Sequence, residues 1–169
     1  MSGIYGETVI DVFEHGGVEF EVLQVPETIW CGALGYAKDS KGEPDIEGLL
    51  ERYQAECFIE KKTLAIPSRS CCISIDYWKD GKAPRGIMFA QQVQEIDQDP
   101  SHDVYKMPGS LYIRTAAPDG SGDLHLLFGV IRTAMAEHGY VISDCGAQEI
   151  EMYSLSGEKC YAYVPAMKL

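Results

Sequence analysis

The sequence predicts an α+β fold. It reads as two pseudo-symmetric strand-helix-strand-strand repeats forming an antiparallel sheet, with two helices on one face and a cleft at the seam. Three observations predict it. Two amphipathic segments carry apolar residues at the same five offsets, a Pro-led strand-like segment precedes each, and two strand-like segments follow each.

The elements can be justified in chain order. Residues 1–17 belong to neither repeat, and an added edge strand or a loose arm both fit them. Repeat one is read over 18–95. Its first strand lies in "VPETIWCGALGYA" from Val25, and "DSKGEP" turns the chain into a helix. In "PDIEGLLERYQAECF", 44–58, Ile46, Leu49, Leu50, Tyr53 and Cys57 form one stripe, with Pro44 and Asp45 as the helix entry. "IPSRSCCISIDYW" from Ile66 and "GIMFAQQVQE" at 86–95 read as strands joined through "KDGKAPRG".

A linker is expected at 96–106, where the acidic, polar run "EIDQDPSHDVYK" (95–106) surrounds Pro100. Repeat two, 107–169, starts with "MPGSLYIRTAAPD" from Met107 and the turn "APDGSG". In "GDLHLLFGVIRTAMA", 122–136, Leu124, Leu127, Phe128, Ile131 and Met135 match the first stripe, and Gly139 after His138 closes the helix. "VISDCGAQEIEMY" from Val141 and "EKCYAYVPAM" at 158–167 complete it, with "SLSGE" as the hairpin. Aligning the repeats sets Trp30 against Tyr112, Asp76 against Glu151, and Trp78 against Tyr153.

Composition narrows the function classes. The 169 residues carry 26 acidic and 14 basic side chains, a formal net charge of −12, which repels phosphate backbones; no direct contact with nucleic acid is expected. No run approaches the roughly 20 apolar residues that span a bilayer, and the N-terminus lacks a signal-peptide pattern, so a cytoplasmic protein without membrane contact is expected. The six cysteines (31, 57, 71, 72, 145, 160) include no CxxC pair and read as structural thiols. The histidines are scattered and read as solvent-facing. No metal and no cofactor are expected, and any protein partner is unknown.

The candidate site comes from strand parity. In "EIEMY", Ile150 and Met152 take one face, and Glu149, Glu151 and Tyr153 the other. In the first repeat Ser74, Asp76 and Trp78 share a face. If the apolar faces meet the helices, the acidic, aromatic faces look into the seam. The bland reading is a solvated face. That reading suits Glu149, stands open for Asp76, and yields for Glu151 once Tyr161 and Tyr163 on the neighbouring strand are counted. Four of the ten tyrosines fall within 140–163. A carboxylate among rings attracts cations by charge and by the ring faces. Desolvation can also raise its pKa enough for acid–base work.

These residues carry a resemblance. "VPETIWCGALGY", "MPGSLYIRTAAPDG" running into a helix, "AEHGY", and "EIEMY" followed by a Tyr-containing last strand together resemble the GyrI-like small-molecule-binding family. The same fold serves as the effector-binding domain of multidrug-sensing transcription regulators. The resemblance covers about residues 18–169. It implies a twofold sheet with a ligand pocket at the seam and a buried glutamate, mapping to Glu151, that meets cationic, lipophilic or aromatic ligands. Trp30, Tyr112, Tyr153 and Tyr163 (or Tyr161) are its implied aromatic partners. It also implies a possible hydrolase of cyclopropane-bearing electrophiles, with Glu151 as the acting group and Trp30 and Tyr112 holding the carbon skeleton. Trp78 and Asp76 complete the expected ligand-binding set. A third reading is an acidic antirepressor or inhibitor acting by protein–protein contact.

Overall fold

The computed structural model describes residues 6–57, 65–79, 81–94, 102–117, 124–153 and 160–169, with the side chains of 56–57 and 65–70 left aside. The turns "APDGSG" and "SLSGE", the first part of the expected linker, and the Cys57 side chain fall outside this set. Two compact units are formed, one from residues 1–27 with 107–169 and one from 28–106. The described elements are α+β, and every strand pairing in the resolved registers is antiparallel.

In the first unit, β1 (Thr8–His15) and β2 (Val18–Val25) form a hairpin. Its two-residue turn is Gly16–Gly17, with φ of 61° and 79°. Positive φ at both positions is what a tight, right-twisted hairpin requires, and glycine adopts it without a Cβ penalty. Of the two expectations for residues 1–17, the edge strand is therefore the one formed from Thr8 onward. The sheet continues β1-β2-β7-β10-β9, with β7 at Ser110–Ala116, β9 at Glu149–Tyr153 and β10 at Tyr161–Lys168; β8 (Tyr140–Ile142) also pairs with β10. The segment expected as one strand from Val141 is thus two short ones, broken where Gly146 takes φ 95°.

Helix α2 (Leu124–Glu137) packs on one face of this sheet. Leu124, Phe128, Ile131 and Met135 are buried and Leu127 is partly so, which is the stripe read from the sequence. They meet Phe20, Val22, Ile113, Ala162, Val164 and Ala166 from alternating positions of three strands, β2, β7 and β10. At roughly 25 cal/mol per Å² of apolar surface, this cluster is the main stabilising contact of the unit. Gly139, at φ 84°, ends the helix as expected.

In the second unit, β4 (Ala65–Ile75), β5 (Gly86–Val93), β3 (Thr28–Tyr36) and β6 (Asp103–Met107) lie side by side in that order. Helix α1 (Ile46–Arg52) starts at the Asp45 cap, whose side chain accepts from the Gly48 N–H at 3.1 Å. Only part of the expected stripe is used. Leu49 and Tyr53 pack with Ala33 and Phe89, while Ile46 and Leu50 are exposed. Just beyond the helix, Tyr53–Cys57 forms a π-helical turn.

The expected linker needs correction at its end. Residues 103–106 are in β6, because Val104 packs with Ile29, Cys31 and Val93, and Asp103 accepts hydrogen bonds from the Leu34 N–H and from Arg52, both at 2.8 Å.

Candidate functional site

Register decides which side chains share a face. Residues directly opposite in an antiparallel pair point the same way. Ala162 stands opposite Glu151, Tyr161 opposite Met152, and Tyr163 opposite Ile150. Ala162 belongs to the cluster under α2, so Glu149, Glu151 and Tyr153 lie on the helix-bearing face. The expectation that the acidic face is the one turned away from the helix is thereby overturned. Parity was read correctly; the side that α2 covers was not.

On that face Glu151 is 8% exposed. The Tyr153 hydroxyl donates to its Oε2 at 3.2 Å, while Tyr153 itself is 37% exposed. The pair is a nearly buried carboxylate whose phenol partner reaches water. Two positions back, Glu149 is 0% exposed, not the surface charge the sequence suggested. Arg132 of α2 holds it with a two-pronged ion pair, Nη2 to Oε1 at 2.6 Å and Nε to Oε2 at 3.0 Å. Burial raises the Glu149 pKa, and Arg132 and His125 pull it back only in part. The Glu149 charge is thus answered from within the fold by the Arg132 fork. Arg132 was missed because it borders the buried Ile131 and reads as the polar edge of an amphipathic helix.

Tyr112, Tyr161 and Tyr163 are on the opposite face of the same sheet. Tyr163 is paired with Arg114 across β10 and β7, and Tyr112 with Pro165. They form their own network there. Tyr112 and Tyr163 meet edge to face at 5.9 Å, and the Arg114 guanidinium lies 4.3 Å from the Tyr161 ring centre. Arg114 also donates to Glu21 at 3.0 Å, to Glu7 at 3.3 Å and to the Tyr163 hydroxyl at 3.0 Å. Tyr163 in turn donates to Glu7. Burial opposes the Arg114 charge, but Tyr163 and Glu21 outweigh it and raise its pKa. Glu151 and these three tyrosines are therefore not brought together; the sheet separates them.

Trp30, Asp76 and Trp78 belong to the second unit. Trp30 is buried, and its indole N–H donates to Thr28 Oγ1 at 2.9 Å. Asp76 and Trp78 are not on a strand face, which corrects the alternation read for them. Strand β4 ends at Ile75, Asp76 takes the left-handed conformation at φ 59°, and Tyr77–Lys79 is a 3-10 turn. Asp76 pairs with Lys79 at 3.2 Å. Among the described residues, the Trp78 Nε1 is a buried donor with no acceptor.

The thiols follow the expectation in part. Cys31, Cys71 and Cys72 are buried, whereas Cys145 is exposed. Partial burial works to raise the Cys145 pKa, yet hydrogen bonds from Ser143, the Ala147 backbone and Ser110 bring it below the ordinary thiol value. Among the described residues no helix is long and apolar enough to cross a membrane.

Known proteins add a likeness of fold. The C-terminal domain of EcmrR superposes with a TM-score of 0.60 at 11% identity, covering 90% of this chain and 99% of that one. An integron cassette protein from the mobile metagenome of Vibrio cholerae gives 0.57 at 11%, covering 88% and 95%. A hydrolase from Listeria innocua gives 0.52 at 14%, covering 88% and 91%. No protein-family model matches the sequence, and no curated protein matches it. At these identities the likeness is one of fold alone.

Proposed function

We propose that this chain is a small-molecule-binding domain that captures lipophilic compounds, cationic or aromatic, with Glu151 as the recognising charge. The observation that carries the reading is the Glu151–Tyr153 pair: a carboxylate 8% exposed, bonded to a phenol that stands at the surface. A cation replacing solvent beside such a group meets a charge in reduced dielectric and a ring face together. One strand precedes each helix and strands follow it, β4 and β5 after α1 and β8, β9 and β10 after α2, which supports reading the halves as pseudo-symmetric repeats. Trp30, Trp78 and Asp76 remain candidate contacts of the second unit, and Tyr112, Tyr161 and Tyr163 of the opposite sheet face.

A thermal-shift screen with a tetraarylphosphonium, a cationic acridine dye and their neutral isosteres tests this. A compound at 100 times its dissociation constant adds about 2.7 kcal/mol of stability. Glu151→Gln is expected to weaken the cations and leave the neutral compounds unchanged. Equal effects on both classes, or no stabilisation by any compound, would overturn the reading.

A second reading is a hydrolase of strained electrophiles, favoured by the structural neighbour described as a hydrolase. It expects cyclopropane- or epoxide-bearing compounds to gain one water by mass spectrometry, with turnover lost and binding kept in Glu151→Gln. An acidic inhibitor acting by protein contact would instead tolerate that substitution.

A further inference from the structure

We propose that His15, Glu137 and His138 form a binding site for a late first-row divalent cation such as zinc or nickel. His15 at the end of β1 is far in sequence from the adjacent pair Glu137 and His138 where α2 closes, and only the packing of the hairpin over the helix end brings them together. His15 Nδ1 lies 3.6 Å from Glu137 Oε2. The imidazoles of His15 and His138 are 5.6 Å apart between ring centres, at 85° to each other.

These spacings are close to what a cation would impose. With metal–nitrogen bonds of about 2.0–2.1 Å, two imidazoles on one tetrahedral ion have ring centres about 5.2 Å apart, and neighbouring ligand atoms lie about 3.4 Å apart. Among the described residues no group of three or more His, Cys, Asp or Glu side chains, as placed, could hold a metal ion, so the site requires side-chain rearrangement. Glu137 is 65% exposed on its side chain, so its carboxylate can change rotamer without disturbing the core.

The histidines, in contrast, are held. His138 stacks on Phe13 at 4.2 Å and 20°, and Phe13 stacks on Phe20 of the buried cluster at 5.2 Å. His15 sits one residue before the Gly16–Gly17 turn of the hairpin. Ligands on such supported elements lose less freedom on binding than ligands on loops. The surroundings also favour a cation. The carbonyl end of α2 is the negative pole of its dipole, and the chain's net charge is −12. Two imidazoles and a carboxylate with an open fourth position suit zinc and nickel better than magnesium or calcium, which prefer oxygen ligands.

Calorimetric titration of the whole chain with zinc chloride and with nickel chloride tests the site. Binding of one ion is expected at micromolar concentration, weakened at least about tenfold in both His15→Gln and His138→Gln, since even indirect changes around a site cost that much. Cys145→Ser, which removes the exposed thiol, is expected to leave it unchanged. Melting of each variant without metal confirms that it folds. Independently of any variant, zinc should shift the imidazole nitrogen resonances of His15 and His138 in the wild-type protein and leave those of His102 and His125 in place. Millimolar binding, retention of affinity in both histidine variants, loss in Cys145→Ser, or no selective shift of the two imidazoles would overturn the proposal.

Discussion

At Glu149 the cost of burying a charge is met chiefly by Arg132, with His125 contributing, and removing Arg132 exposes the cost. Arg132→Ala is expected to destabilise the protein by about 3 kcal/mol at pH 7, because it leaves a fully buried carboxylate uncompensated; urea unfolding measures it. The pKa of Glu149 is raised by burial, so the folded state holds this proton more tightly than the unfolded chain. Its contribution to stability is therefore fullest at acid pH and falls as pH rises through the carboxylate range. Glu149→Gln should flatten that part of the stability profile, and the defect of Arg132→Ala should grow as pH rises through the carboxylate range. Cys145 provides a second check at this scale. Exposed and with a lowered pKa, it should be alkylated by iodoacetamide at pH 7 well before Cys31, Cys71 and Cys72, which are expected to react only on unfolding. Peptide mass mapping after short exposures distinguishes the order.

Helix α2 shows how much of an element its pattern decides. The buried stripe was legible, because a 3.6-residue period has one way to face a sheet. Gly129 sits mid-helix in the exposed row with Leu126 and Val130, and a Cβ there would meet nothing within 4 Å. Gly129→Ala is expected to stabilise by about 0.5–1 kcal/mol through helix propensity. Gly139→Ala should destabilise by a similar or larger amount, because φ of 84° strains any residue with a Cβ. Thermal unfolding of the two variants should give shifts of opposite sign. Helix α1 was less legible: a pattern assuming uniform helix could foresee neither the π-helical turn at Tyr53–Cys57 nor the exposure of Ile46 and Leu50.

For the molecule as a whole, the charge of −12 acts on every conformation but most strongly on the compact one. Raising sodium chloride from 10 to 150 mM shortens the screening length from about 30 to about 8 Å and should raise the melting temperature. A fall in melting temperature over that range would show that ion pairs such as Arg114–Glu21 and Arg52–Asp103 outweigh the self-repulsion.

The sequence by itself determined the α+β class, several of the strand-forming segments, the buried stripe and closing glycine of α2, and the parity that joins Glu149, Glu151 and Tyr153 on one face. These are properties of neighbours along the chain, and a period of two or 3.6 residues records them. Tertiary structure alone decided which side of the sheet α2 covers, and with it that Glu151 parts company with Tyr112, Tyr161 and Tyr163. It also decided that Arg132 meets Glu149 and that His15 meets Glu137 and His138. A periodic pattern separates two faces without saying which of them the helix will cover, and contacts between distant residues leave no trace in local spacing.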